Sequence, residues 1–330
     1  MHQVAVREPF TIGNETVRAG RRAHVELPVS KLITGEQMSM PVTIFHGATD
    51  GPTAWINAAI HGDELNGVEI VNRVLSELKA KELRGTLLAV PVVNIHGFIN
   101  GDRYLPDRRD LNRSFPGSKK GSLAARLANL FMTEVVSKCE IGIDLHTASD
   151  NRTNLPQIRA NLDDPRTREL AEVFGARLMM HSKNRSGTLR AAGTKAGASV
   201  LLYEAGEPMR FNADAIESGV RGVRRILRHL DMADWDGPPA TTVPESRSSR
   251  WVRAEKSGVI RLDVEIGDMV EAKQELGSII DAFGKRLSTI RASRSGLVVG
   301  RTMYPLGNQG DALVHIASLE HSGSDVGRTT

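Results

Sequence analysis

The sequence predicts an α/β domain with a mostly parallel or mixed sheet, followed by a small all-β module. Three observations carry this. Short apolar runs alternate with amphipathic helical stretches over the first 233 residues. Residues 234–249 (DWDGPPATTVPESRSS) are rich in Pro, Ser, Thr and Gly, with little to bury. Beyond them, short strand-like runs are split by glycines at Gly258, Gly267, Gly277, Gly284, Gly296 and Gly307. The expected division is a domain over 1–233, a linker over 234–249, a β-rich module over 250–319 and a tail over 320–330. A chain of 330 residues carries a prior of about two domains, each able to bury a core. Apolar residues at 40% and charged residues at 25% sit near the globular average, which excludes collagen-like and disordered classes.

Taken in order, the alternating segments Ala23 to Val29 and Pro41 to Phe45 read as strands. Thr53 to Ile60 (TAWINAAI) reads as a buried strand ending at His61-Gly62. From Glu64 to Ala80 the pattern turns helical, with Leu65, Val68, Val71, Val74, Leu75 and Leu78 on one broad stripe. Thr86 to Val93 is a second buried strand, and a long polar loop follows from Asn94 to Lys120. Loops of that length inside a domain are usually functional or disordered. Ser122 to Ser137 reads as a helix, and Ile141 to Leu145 as a strand ending at His146. Further strands are expected at Leu155 to Ala160, Arg177 to His181 and Ser199 to Tyr203, with helices at Pro165 to Phe174 and Ala213 to Leu230.

No apolar run reaches the roughly 18 residues of a membrane span, and the first 20 residues lack the pattern of a secretory signal. A lone Cys139 makes no internal disulfide, so a reducing, cytoplasmic setting is expected. The net charge of +4 is mild, and no basic stretch is interleaved with aromatics. Neither nucleic acid nor membrane is therefore an expected partner. The sequence leaves room for a homo-oligomer.

The sharpest chemical signal is His61-Gly62-Asp63-Glu64, at the junction of a buried strand and a helix. In open α/β sheets, ligands bind outside the carboxyl ends of strands. A second strand ends at His146, in Ile143-Asp144-Leu145-His146-Thr147. Two imidazoles and one carboxylate form a known catalytic zinc set with one position left for water. An isolated H-x-x-E recurs by chance, and the second strand-end histidine is what lifts it above that. The long loop holds Asp110-Leu111-Asn112-Arg113, preceded by Arg103-Tyr104. Its guanidinium and amide groups suit a carboxylate, and another arginine suits an oxyanion. The plain alternative is a solvated arginine-rich loop. Tyr203-Glu204-Ala205-Gly206-Glu207 follows a third apolar run, and a glutamate there suits a general base for metal-activated water. Glu207 competes with Glu204, and position favours Glu204.

The order H-G-x-E, D-L-N-R, D-L-H and E-x-G resembles the succinylglutamate desuccinylase/aspartoacylase family, within the fold group of zinc carboxypeptidases. The resemblance covers about residues 40–320. It implies a carboxypeptidase-like mixed sheet flanked by helices, and one zinc ion per chain held by His61, Glu64 and His146. It implies that Glu204 activates water and then protonates the leaving amine. Arg103 would polarise the substrate carbonyl, while Asn112 and Arg113 would bind a substrate carboxylate. The expected activity is removal of an acyl group from an N-acylated amino acid or related small amine. The chain looks closer to bacterial deacylases of the family whose substrates vary and include acetylated diaminobutyrate than to aspartoacylases proper. No further arginine or tyrosine shaping specificity is identified. A carboxypeptidase or esterase using the same site, and a metal-free binding module for acidic metabolites, are the alternatives.

Asp144 shares a strand face with His146 and is expected beside the site, as a supporting or cavity-lining carboxylate or in a structural hydrogen bond. His46 and His96 are read as structural or rim histidines. The segments Ser257 to Ile260 and Ser295 to Val298 resemble those of biotinyl and lipoyl barrels. Lys285 lacks the context of an attachment lysine, so no covalent cofactor is expected. The resemblance gives the module the role of bordering the site.

Overall fold

The computed structural model describes residues 7–320. The chain opens with a small antiparallel pair, β1 (Phe10–Ile12) and β2 (Glu15–Val17). A long hairpin of β3 (Arg21–Lys31) and β4 (Gln37–His46) leads into β5 (Thr49–Ala58). There follow α1 (Asn66–Glu77), β6 (Arg84–Val90), α2 (Ile95–Asn100), α3 (Leu123–Glu134) and β7 (Ile141–His146). Next come β8 (Arg152–Ala160), α4 (Pro165–Phe174), β9 (Leu178–His181), α5 (Leu189–Lys195), β10 (Ser199–Gly206) and α6 (Ala213–His229).

The C-terminal part is all β. It runs through β11 (Glu245–Ser246), β12 (Ser248–Arg253), β13 (Gly258–Leu262), β14 (Met269–Val270) and β15 (Glu275–Ile280). It ends with β16 (Arg286–Arg291), β17 (Gly296–Thr302), β18 (Leu306–Gly307) and β19 (Ala312–Ser318).

One mixed sheet runs through the molecule in the order β12-β19-β17-β8-β10-β7-β5-β6-β4-β3. At its centre β10, β7, β5 and β6 are parallel, and the flanking pairs are antiparallel. Apolar side chains of α1, α4 and α6 cover one face, with Ile70, Phe174 and Val223 fully buried. α3 and α5 help cover the other, around Trp55, Leu127, Phe131 and Leu189. Burial on both faces explains why the central strands read as continuous apolar runs rather than alternating ones. The second sheet, β16-β15-β13-β18, closes against β12, β17 and β19 around its own core of Ile260, Leu276, Ile279, Val298 and Val314.

The expected elements are present, and several of them differ in extent from the expectation. The long loop from Asn94 is not bare. The Asn94 side chain accepts from the Gly97 N–H at 2.9 Å and starts α2, which ends at Gly101 with φ 62°. Helix α5 was not anticipated. Its seven residues are too few for an apolar period, and its one local sign is the Thr188 cap. The helix expected from Glu64 starts at Asn66, because Glu64 stands in the turn outside the end of β5. The tail expected over 320–330 lies outside the described residues from 321 on. Among the described residues no helix is long and apolar enough to cross a membrane.

Candidate active site

The parallel strands deliver their carboxyl ends to one side of the sheet, and the site is built there. His61 and Glu64 follow β5, His146 closes β7, and Glu204 lies opposite His146 in the register of β10 on β7. Cross-strand neighbours in a parallel pair share a face, so both point toward the same space. Gly62 is where α2 comes close. A Cβ there would fall 1.9 Å from the Gly97 carbonyl carbon, so only glycine lets the loop pass beside His61.

His61, Glu64 and His146 bring one ligand atom each to within 4.8 Å of one another, and none of the three is more than 4% exposed. The Glu64 carboxylate lies between the two rings, with Oε1 2.7 Å from His61 Nδ1 and Oε2 2.7 Å from His146 Nδ1. The Thr147 N–H also donates to Oε2 at 3.1 Å. On their far sides the imidazoles meet carboxylates. His61 Nε2 lies 3.1 Å from Asp110 Oδ1, and His146 Nε2 lies 3.0 Å from Asp144 Oδ2. Carboxylate-braced imidazoles that turn their other nitrogen inward are the usual supporting arrangement of a metal site. Two nitrogens and a carboxylate, buried and converging, suit a borderline cation of the zinc type.

Burial opposes charge at Glu64, but the two imidazoles outweigh it and hold the carboxyl well below its usual range. Burial likewise opposes charge on the rings. Glu64 and Asp110 nevertheless raise His61, and Asp144 and Glu64 raise His146 further. Asp110 is held down in turn, against its burial, by His61 and Arg103. The cluster is thus rich in balanced charge that a cation can take over.

Asp144 does not line the cavity. It is fully buried, and its Oδ1 accepts from Asn57 Nδ2 at 2.7 Å. Asn57 Oδ1 accepts from Trp55 Nε1 at 2.9 Å, so a chain of hydrogen bonds runs from the core to His146.

A cavity of about 560 Å³ opens over the cluster, lined also by Arg103, Asn112, Arg113 and Glu204. Arg103 donates to Glu64 Oε1 at 3.3 Å and to Asp110 Oδ2 at 3.0 Å. Asn112 sits in a 3-10 turn at Leu111–Arg113, capped by Asp110. Its Oδ1 accepts from the Leu189 N–H at 2.9 Å, which fixes the amide against the start of α5 and leaves Nδ2 as a donor. Arg113 is exposed at the rim and donates to the Asn112 carbonyl. Glu204 Oε2 accepts from Asn154 Nδ2 at 2.8 Å and from Arg159 at 3.2 Å. Glu207 pairs loosely with Arg210 and is not part of the cavity wall.

All seven residues singled out from the sequence therefore line one cavity. His46 and His96 do not. His46 is buried against Thr86 and the Glu8 carbonyl, and His96 meets Ser30. The sequence reading missed Asp110 as the brace of His61, and Arg190 on α5. Arg190 is 6% exposed and lines the cavity, held by Ser182 and the Lys183 carbonyl. Burial, with Arg159 nearby, lowers it to about 10. Thr188, two residues earlier, was the available signal, as the start of a short helix.

A carboxyl-end cavity holding a His2Glu cluster, a braced glutamate and converging arginines defines a hydrolase-type centre in outline. The family model for the succinylglutamate desuccinylase/aspartoacylase catalytic domain matches residues 50–230, and the chain belongs to that family. A curated relative, the N-alpha-acetyl-L-2,4-diaminobutyric acid deacetylase of Halomonas elongata, is 27% identical over 297 residues, covering 86% of each chain. The succinylglutamate desuccinylase of Burkholderia cenocepacia is 28% identical over 194 residues, which is 52% of this chain and 55% of that one. Among solved structures, a succinylglutamate desuccinylase/aspartoacylase from Rhodobacter sphaeroides superposes with a TM-score of 0.81 at 24% identity, covering 92% of this chain and 97% of the other. The product-bound ectoine utilization protein of Ruegeria pomeroyi does so with a TM-score of 0.84 at 23% identity, covering 94% and 99%. Both share the fold.

Proposed function

We propose that this chain is a zinc-dependent deacylase that hydrolyses the amide bond of an N-acylated amino acid or a related small amine. The observation that carries the reading is the buried His61, Glu64 and His146 cluster facing Glu204 across one cavity. Family membership and the named deacetylase and desuccinylase relatives support it. His61, Glu64 and His146 would hold the ion. When bound, zinc supplies a Lewis acid and lowers the pKa of water toward about 7.

The chain's own residues do the rest. Asn112 Nδ2 and the Arg113 guanidinium hold the substrate carboxylate and fix the amide in the cavity. Arg103 turns its N–H donors to the amide oxygen as charge builds there. Asn154 and Arg159 grip Glu204 at Oε2, which leaves Oε1 to take a proton from the attacking water. Glu204 passes that proton to the leaving nitrogen as the C–N bond breaks, releasing a carboxylic acid and an amine. The lone, buried Cys139 suits a reducing compartment, and we place the protein in the cytoplasm.

The test is amine release from a panel of N-acyl amino acids, with zinc and with a chelator. Chelator-sensitive release from one member is the expected result. Zinc binding without release from any member would shift the reading to peptides or esters, and no zinc binding would overturn it. Glu204→Ala is expected to keep the metal and lose turnover by about 10²- to 10⁴-fold. Near-normal turnover would remove Glu204 from the role.

A further inference from the structure

A buried glutamine stands beside the proposed base with its amide unused. Gln157 on β8 lies opposite Glu204 of β10 in register, and Glu204 lies opposite His146 of β7. Residues paired across strands point to the same face, so one row runs Leu178, Gln157, Glu204, His146. Gln157 is 0% exposed, and its amide oxygen and amide nitrogen are both buried without a hydrogen-bond partner among the described residues. Burying an amide in that way costs stability. The large majority of buried polar side chains do have a partner, so this one calls for a cause.

The neighbours narrow the cause. Arg159, two residues along β8, shares the face with Gln157. Leu178 and Glu204 flank Gln157 across the strands, and Met180 and Leu202 flank Arg159. Leu155 packs with Leu178 and Met180 in one apolar cluster. Of these neighbours, the polar ones are Glu204 and Arg159. Arg159 is itself half used: one terminal nitrogen lies 3.2 Å from Glu204 Oε2, while its Nε is buried and unpartnered. An amide offers an oxygen acceptor and two N–H donors. The oxygen suits the free Nε–H of Arg159, and the NH2 group suits the carboxylate. Long side chains reach cross-strand and diagonal neighbours on a sheet, and the last torsion of a glutamine turns broadly. A rival partner stands on β19, where His315 Nδ1 is also buried and unpartnered.

We propose that Gln157 is the positioning residue of Glu204. Its amide oxygen takes the Nε–H of Arg159, and its NH2 group donates to the Glu204 carboxylate. Arg159 and Glu204 are thereby locked to each other and to β8, and Oε1 stays turned to the cavity. Gln157 does not itself line the cavity, so it acts on the reaction through Glu204 alone. Misplacing a reacting group by an ångström costs orders of magnitude in rate, which accounts for a polar group kept here at a cost in stability. The assignment rests on the reading of Glu204 as the base; the bridge between Arg159 and Glu204 stands on the sheet geometry.

The experiment uses the zinc-loaded full chain. Gln157→Met keeps the length of the side chain and removes the amide. Urea unfolding of double-mutant cycles pairs it with Arg159→Met and with Glu204→Gln. In each cycle the combined effect on the unfolding constant is expected to differ from the product of the single effects by at least about fivefold, beyond the scatter of independent sites. Turnover is measured on the N-acyl amino acid that the wild type cleaves fastest. Gln157→Met should lower kcat by about tenfold, with KM within about twofold and zinc content unchanged. Gln157→Asn, whose amide falls a methylene short, should lose kcat in the same way and serves where the methionine variant does not fold. Leu178→Met, in the same row, is the control for repacking and should leave kcat within about twofold. Independent effects in either cycle, coupling to His315→Gln in their place, or a kcat within about twofold of wild type in the Gln157 variants would overturn the proposal. Coupling in both cycles with no turnover of any N-acyl compound would keep the bridge and sink the deacylase reading instead.

Discussion

The residues proposed to hold the metal are braced in part by side chains that do not line the cavity. Asp144 is such a residue, because its two oxygens join His146 to Asn57 and the Trp55 indole. Asp144→Asn keeps the shape and removes the charge. It is expected to weaken zinc binding by about 10- to 100-fold, as is typical when a ligand's supporting carboxylate is lost. Competition with a chromogenic chelator measures this, and unchanged affinity would reduce Asp144 to a structural link. At this scale the sequence told much. His61, Glu64, His146 and Glu204 stand at strand ends, where a period-2 or all-apolar run stops at a polar residue. Asp110 and Arg190 were hidden because their roles arise only when the long loop and α5 fold against the strands. No local pattern encodes that contact.

Elements fix how tightly those residues are held. β7 lies against β5 so closely that a Cβ at Gly142 would fall 2.0 Å from the Trp55 ring. Gly142→Ala therefore overpacks a rigid buried indole, at a cost of about 1–3 kcal/mol. Because Trp55 also holds Asn57, the variant should lose metal retention along with melting temperature. A lowered melting temperature with normal zinc content would separate the two effects and break the link argued here. Helix α4 shows when boundaries are readable. Asp164 caps it, Pro165 opens it and Gly175, at φ 70°, closes it, so expected and observed limits coincide. Strand limits were less clear. β8 starts at Arg152, three residues before the expected Leu155, because its first residues pair with β17, from the distant C-terminal part. Pairing with a remote strand leaves no trace in the local run.

Across the whole molecule, the C-terminal strands and the α/β part share one buried histidine environment. His315 on β19 stacks on Trp251 and has its pKa lowered to about 3, first by burial and then by Arg159 of β8. The unfolded chain takes up this proton near the ordinary value of about 6.5, and the folded chain does not. Its stabilising effect is therefore complete above about 6.5 and is lost as the pH falls toward about 3. The slope is at most about 1.4 kcal/mol per pH unit. Urea unfolding between pH 7 and 4.5 measures it, and His315→Gln should show a shallower decline than the wild type. Identical slopes would mean that His315 is not held neutral by the fold.

That shared sheet also bears on how such a protein can change over time. Asn154, which grips Glu204, pairs through its backbone with Gly300, nearly 150 residues further along the chain. The C-terminal strands are thus not an appendage that could be traded for another without penalty. Cutting them away would bare a row of unpaired amides and carbonyls beside the glutamate and invite pairing with foreign chains. New specificities should therefore emerge by replacing side chains that line the cavity rather than by exchanging the C-terminal strands.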